Sequence, residues 1–343
     1  MNGYLMHKDN IVARIENDIV MDENAMLPLQ LFKGASIEGW LTGRAIDRHR
    51  TNSRLLKKVM RMTDTSDIAT VLRAHAATVT DNYWFKADGE DIAYKDILFN
   101  DDSYADVALF GTFESVSSAE KLDPSRSKSP ELTNIGSFEK CWKLHDGRWY
   151  MYKRENAREQ FSEIFISRLC QHFGYAAAVY EKHDDCVITP DFTENKKYDF
   201  EPAVAFVGDN EDYTFNYQKL LTFSPEIAGD YVKLLFVDTL CYNMDRHTNN
   251  YGLLRDADTG EVVKLAPNFD NNIALISRGY TCTTVREMDI LITLWQEFIT
   301  ENHIQFKKPP LDREMIQEIA DSIDIDVKKD YVVDFVINRY NAL

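Results

Sequence analysis

Residues 243–270 read NMDRHTNNYGLLRDADTGEVVKLAPNFD, and the fold turns on how this stretch doubles back. Tyr251 to Arg255 and Glu261 to Leu265 are strand-like runs. Asp256-Ala257-Asp258-Thr259-Gly260 between them is made of turn-forming residues. An antiparallel hairpin brings the residue before its first strand close to those after its second. Asn250 and Asp270 are therefore expected as neighbours, with Asp245 on the same loop as Asn250. Two carboxylates and an amide oxygen form a hard-oxygen set that suits Mg²⁺. Phosphoryl transfer needs these parts: a carboxylate that orients the attacking hydroxyl, and Asn and Asp that hold metal on the phosphates. The plain alternative is a polar turn, since Asn and Asp favour turns anyway.

Upstream the chain is regular from Phe138. Cys141–Leu144 and Trp149–Tyr152 flank His145-Asp146-Gly147-Arg148, a hairpin signal. Arg158–Phe173 reads as a helix with Phe161, Ile164, Phe165 and Leu169 on one face and Gly174 as its stop. Ala176–Tyr180 and Cys186–Thr189 read as strands, and Pro225–Tyr242 as a longer helix. Residues 117–137 are rich in Ser, Pro and charge, which marks a linker. Residues 1–116 mix helix-like and strand-like stretches, with Trp84 as a packing anchor. The basic residues from Arg44 to Arg61 read as a solvated helix face.

The string Asn243-x-Asp245-Arg246-His247-x-x-Asn250-x-Gly252, followed by Leu265-Ala266-Pro267-x-x-Asp270, resembles the catalytic and metal-binding segments of HipA-like serine/threonine kinases. The DRHxxN core is also similar to that of phosphatidylinositol kinases; the Leu-Ala-Pro-x-x-Asp continuation favours the HipA-like group. The resemblance implies that Asp245 is the catalytic base, that Asn250 and Asp270 hold Mg²⁺, and that His247 serves the ATP site. It extends to Asn134-Ile135-Gly136-Ser137-Phe138-Glu139-Lys140, similar to the short phosphate loop of those kinases. It implies Lys153 as the phosphate-binding lysine, with Arg154 as the alternative cation. Glu163 is implied as the helical ion-pair partner of Lys153, although periodicity alone reads it as solvated. Asp191-Phe192-Thr193 is similar in placement to the family's hinge-adjacent Phe-Asp-Arg but departs from it, so no adenine contact is assigned. Thr133 and Ser137 flank the phosphate loop, where some relatives phosphorylate themselves. Residues 1–116 do not read as the N-terminal strand module of toxin-type HipA proteins, which makes an antitoxin-type partner the faintest of these implications.

The expectation is thus an α+β, protein-kinase-like two-lobed fold: a small, mainly β lobe, a larger helical C-terminal lobe, and an N-terminal α/β extension. By zones these are residues 1–116 (extension), 117–190 (linker and small lobe) and 191–343 (large lobe). The expected reaction is ATP- and Mg²⁺-dependent transfer to Ser or Thr of a protein. The rivals are a lipid or small-molecule kinase and a nucleotide-binding pseudokinase. A formal charge of −17 argues against direct nucleic-acid binding. No run is apolar enough to span a bilayer, and Met1–Val20 lacks an apolar signal core, so a cytoplasmic protein is expected. The five cysteines form no CxxC pair and read as reduced thiols.

Overall fold

The computed structural model describes residues 1–123, 128–286 and 288–343. They form two compact units that interleave along the chain. Met1–Arg154, Ile188–Glu201 and Leu254–Glu261 make the first; Glu155–Val187, Pro202–Leu253 and Val262–Leu343 make the second. These bounds differ from the composition zones 1–116, 117–190 and 191–343.

The chain opens with strands β1 (Gly3–His7), β2 (Asn10–Glu16) and β3 (Ile19–Val20), joined later by β4 (Tyr83–Ala87) in the order β3-β2-β1-β4. Asn17 and Asp18, at the turn between β2 and β3, both have positive φ, a conformation these two residues tolerate. This four-stranded sheet supplies the strands of the expected N-terminal α/β extension, although residues 1–116 do not read from sequence as the strand module of toxin-type HipA proteins. The reason it escaped is burial on both faces, which erases the alternation of a half-solvated strand. Met6 pairs with Trp84 in one core cluster, while Leu5 pairs with Phe85 in the other. Trp84 is fully buried, and its indole Nε1 donates to the Lys8 carbonyl at 2.7 Å.

Within the same unit, β5 (Lys140–His145) and β6 (Arg148–Lys153) form the expected hairpin. Asp146 and Gly147 both take positive φ, as a tight hairpin turn demands. With β7 (Glu181–His183) and β8 (Cys186–Pro190) they belong to a sheet of order β5-β6-β8-β7. The expected linker at 117–137 is partly structured. The helix Phe113–Ala119 runs into it and Pro130–Thr133 forms a 3-10 turn, while residues 124–127 of that expectation lie outside the described residues.

The basic cluster is only in part a solvated face: Arg48, Arg54, Lys58 and Arg61 are exposed, and the other three turn inward. Arg44 donates to both carboxylate oxygens of Asp81, at 2.7 and 2.8 Å, and Lys57 is buried with its ammonium on the Thr65 carbonyl. Arg50 is 1% exposed.

The last sheet has the order β11-β10-β9, from β9 (Tyr198–Pro202), β10 (Gly252–Asp256) and β11 (Val262–Leu265). At its hairpin turn the Asp256 carboxylate accepts from the amides of Asp258 and Thr259, each at 2.9 Å. In the first unit, buried Arg255 pairs with Glu201 at 2.8 Å and donates to the carbonyls of Leu27 and Ala25.

The second unit is mainly helical. Its helix Ala157–Phe173 begins with a capping box of Asn156 and Glu159 and ends at Gly174, whose φ of 70° is the left-handed stop. The helix Pro225–Cys241 starts with Ser224 as its cap and Pro225 in the first turn. The shorter helices Tyr213–Leu221, Ile290–Glu301, Arg313–Asp321 and Lys329–Ala342 also belong here. Phe236 packs against Trp295 and Phe306 at centroid distances of 5.9 and 4.9 Å. The strand expected at 176–180 is reduced to a single bridge between Ala177 and Asn268.

Replacing Trp84 by Ala is expected to cost about 3–5 kcal/mol through the cavity it leaves. Denaturant unfolding of the full chain measures this.

Candidate active site

The helix Pro225–Cys241 is apolar along most of its length, yet Asp238 lies within the buried run LLFVDTLC. A buried carboxylate needs a partner, and Asp238 finds it in Arg246. The Arg246 Nε and Nη2 donate to the two Asp238 oxygens, both at 2.9 Å. Its Nη1 donates to the carbonyls of Asn250 at 2.6 Å and Phe269 at 2.7 Å. Its Nη2 also reaches the side-chain oxygens of Asn268 at 2.9 Å and Asn271 at 2.7 Å. Every donor of this planar fork is committed. Burial is the strongest single influence and opposes the charge, but Asp238, Asp270 and Glu163 together outweigh it and hold the guanidinium above its ordinary pKa.

This one side chain ties the loop of Asp245 and Asn250 to the segment 268–271 that carries Asp270. The expected proximity of the two strand ends is therefore realised. Asn243 reinforces it, donating to Asp238 at 2.9 Å and accepting from the Asp245 amide at 3.1 Å. The Asn250 side-chain nitrogen donates to the Asp245 carbonyl at 2.9 Å, which leaves its side-chain oxygen available as an acceptor. Asp270 has φ of 60°, and its amide donates to the buried Tyr180 hydroxyl at 3.3 Å. Asp245 is half-buried. Burial raises its pKa, the Asp270 charge adds to that, and His247, Arg246 and Arg278 pull it back.

Glu163 is fully buried, which corrects the solvated reading that periodicity favours. The helix around it is buried on several sides, with Ser162, Ile166 and Ser167 as inaccessible as the aromatic stripe. The Glu163 carboxylate accepts from the Asn271 amide at 2.8 Å, next to Asp270. Nearby, Asn272 donates to Glu155 at 3.0 Å.

In the first unit Lys153 closes β6 and is buried, whereas Arg154 is exposed and lies over the Phe110 ring. The loop of Gly136, Ser137, Phe138, Glu139 and Lys140 is held from beneath by Arg50. That guanidinium donates to the carbonyls of Asn134 at 2.7 Å, and of Gly136 and Lys140 at 3.2 Å each. Gly136 has φ of 113°, a backbone conformation that strains any other residue, and a Cβ there would also displace the end of the Lys140 side chain. Ser137 and Phe138 are exposed. Thr133, in contrast, is buried, with its hydroxyl donating to the Ala77 carbonyl at 2.6 Å. Asp191 caps its own turn by accepting from Thr193 and Asn195.

Arg50, Asp238, Asn268 and Asn271 carry much of this geometry, and reading the sequence assigned none of them. For Asp238 a signal existed, a lone acid in an apolar helical run. For Arg50 the surrounding charge run masked it.

No family model matches this chain. No curated protein matches it either. Among solved structures it is similar to Shewanella oneidensis MR-1 HipA, from a toxin–antitoxin complex with HipB and operator DNA. Identity is 13%, the TM-score is 0.53, and the match covers 99% of this chain and 97% of that one. The fold is that of a HipA-type kinase. The chain is also similar to the Helicobacter pylori proinflammatory kinase CtkA at 16% identity and a TM-score of 0.44, over 60% of this chain and 90% of that one.

Two outcomes follow from the geometry of this HipA-like fold. Arg246→Ala strands the Asp238 carboxylate and is expected to cost about 3–5 kcal/mol in denaturant unfolding. The second concerns Glu131, which accepts from the Trp142 amide at 2.7 Å and from Asn134 at 3.0 Å. Burial pushes its carboxyl up to about 7, against those bonds and the pull of Arg50 and Lys140. A raised folded value means that the folded state holds the proton more tightly. Glu131's contribution is therefore complete below its ordinary 4.5 and lost as pH rises through about 7. At about 1.4 kcal/mol per unit the loss is roughly 3 kcal/mol at most. Glu131→Gln is expected to flatten that part of the stability–pH curve.

Proposed function

We propose that this protein is a phosphotransferase that moves the γ-phosphoryl group of ATP, with Mg²⁺, to a Ser or Thr hydroxyl of a protein. The observation that carries the reading is the Arg246 lock, which holds the Asp245–Asn250 loop against the segment of Asp270. The oxygen-only donor set fits a hard dication: the Asp270 carboxylate together with the Asn250 side-chain oxygen, which accepts no hydrogen bond among the described residues. In this reading Asn250 and Asp270 hold Mg²⁺, which neutralises charge on the phosphates when bound.

Asp245 accepts the proton of the attacking hydroxyl and aims its oxygen at phosphorus. Partial burial raises its basicity toward the working pH, as a general base requires. Lys153 and the 136–140 loop steady the phosphates, with Arg50 setting the loop's shape. Glu163 acts on the Asp270–Asn271 segment from behind, and as the partner of Lys153 in the kinase scheme. His247 flanks the nucleotide. Of the two hydroxyls beside the loop, exposed Ser137 is the better placed for self-phosphorylation than buried Thr133. The HipA structure contains HipB and operator DNA; a protein partner of that kind belongs to this proposal, with the chain's charge of −17 directed against DNA contacts of its own.

The test is phosphate incorporation from labelled ATP with Mg²⁺, for the wild type, Asp245→Asn and Asp270→Asn. Asp245→Asn is expected to lower the rate by about 10²–10⁴-fold while keeping ATP-dependent thermal stabilisation. Asp270→Asn is expected to lose the Mg²⁺-dependent part of that stabilisation. Equal turnover in wild type and Asp245→Asn would sink the assignment. Stabilisation without turnover would indicate a pseudokinase, and label on lipid or small molecules alone would move the acceptor class.

A further inference from the structure

A cavity of about 550 Å³ opens beside Asp245 and His247, wholly within the second unit. Its walls come from the catalytic loop, from the start of the helix Tyr213–Leu221, and from one face of the helix Ile290–Glu301. Tyr213 and Tyr217 both meet Phe298 edge-on, at 6.1 and 5.6 Å, so the two helices are packed together and the walls are preformed. The volume lies within the range of sites that bind specific ligands, about 300–1,000 Å³.

Its chemistry is of two kinds. Met244 and Leu294 offer exposed apolar surface, 41% and 39% accessible. Glu211, Glu297 and Glu301 are exposed acids in the same lining. Among the described residues Glu211 and Glu297 make no ion pair, whereas Glu301 accepts a hydrogen bond from Thr214 at 3.2 Å. The arginine in the lining, Arg246, is already neutralised by Asp238 and has no donor to spare. A nucleotide's phosphates would meet net negative walls, and like charges brought together across an interface cost several kcal/mol. A cationic ligand meets the complementary field.

Resting on the reading of Asp245 as the catalytic carboxylate, we propose that this cavity is the acceptor site. It takes a protein segment with Lys or Arg beside the Ser or Thr that receives the phosphate. The segment's apolar stems lie along Met244 and Leu294, its cation is read by Glu211 and Glu297, and its hydroxyl reaches Asp245.

The test uses the full chain and two fluorescent peptides with one Ser each, identical except for Arg or Glu at the flanking positions. Binding is followed by anisotropy, and phosphate incorporation with ATP and Mg²⁺ is followed in parallel. The wild type is expected to bind the Arg peptide at least about tenfold more tightly, the equivalent of one charge pair of about 1.4 kcal/mol. Glu211→Lys with Glu297→Lys is expected to reverse that preference and leave ATP-dependent stabilisation unchanged. Glu314→Lys with Glu318→Lys, an exposed acidic pair elsewhere in the unit, makes the same change in net charge and is expected to keep the preference. Equal binding of both peptides, a preference that survives the first charge reversal, or an equal loss in the control pair overturns the proposal while ATP binding stands. A wild type that ATP does not stabilise overturns the kinase reading, and this assignment with it.

Discussion

A buried guanidinium is expensive to desolvate, and the second unit is organised around meeting that cost at Arg246. The fork spans Asp238 on one side and two backbone carbonyls on the other, so a helix, a loop and the strand exit at Phe269 are fixed by a single planar group. Breaking such a set is costly in a way that forming it is not strongly rewarding, because a stranded charge has no water to turn to. That asymmetry makes the arrangement a device for geometric definition more than a source of stability. Lysine, with a point charge, cannot reproduce it.

Arg50 plays the same role in the first unit on a smaller scale. It too is buried, and it spends its donors on backbone carbonyls, at residues 134, 136 and 140. The loop's backbone course is thereby held by a side chain nearly ninety residues away in sequence, while Ser137 and Phe138 stay at the surface. A guanidinium beneath a glycine-containing turn leaves the turn's outer side available to a ligand.

The regular parts of the fold were legible because local rules dominate there. Asp146-Gly147 specified its hairpin, Asn156 and Gly174 bounded a helix, and Ser224-Pro225 opened another. The N-terminal sheet was not legible, since Leu5 and Met6 are buried on opposite faces and leave no polar alternate. Glu163 misled for a related reason: a helix covered on several sides defeats any argument from one stripe. In the site, the neighbourhood of Asn250 and Asp270 could be deduced from hairpin geometry alone. The ties that hold it could not, because Asp238, Asn268 and Asn271 act through long-range hydrogen bonds that no spacing encodes.

The interleaving of the two units has a consequence for how the chain is made. Arg255 fastens the carbonyls of Ala25 and Leu27 and the carboxylate of Glu201. On a ribosome, the opening strands are therefore synthesised more than two hundred residues before the arginine that completes their surroundings. The first unit is complete only once the segment 254–261 has been made. Its apolar sheet lacks part of its surroundings until the segment 254–261 has emerged, which makes that interval the one in which holding chaperones have the most to cover.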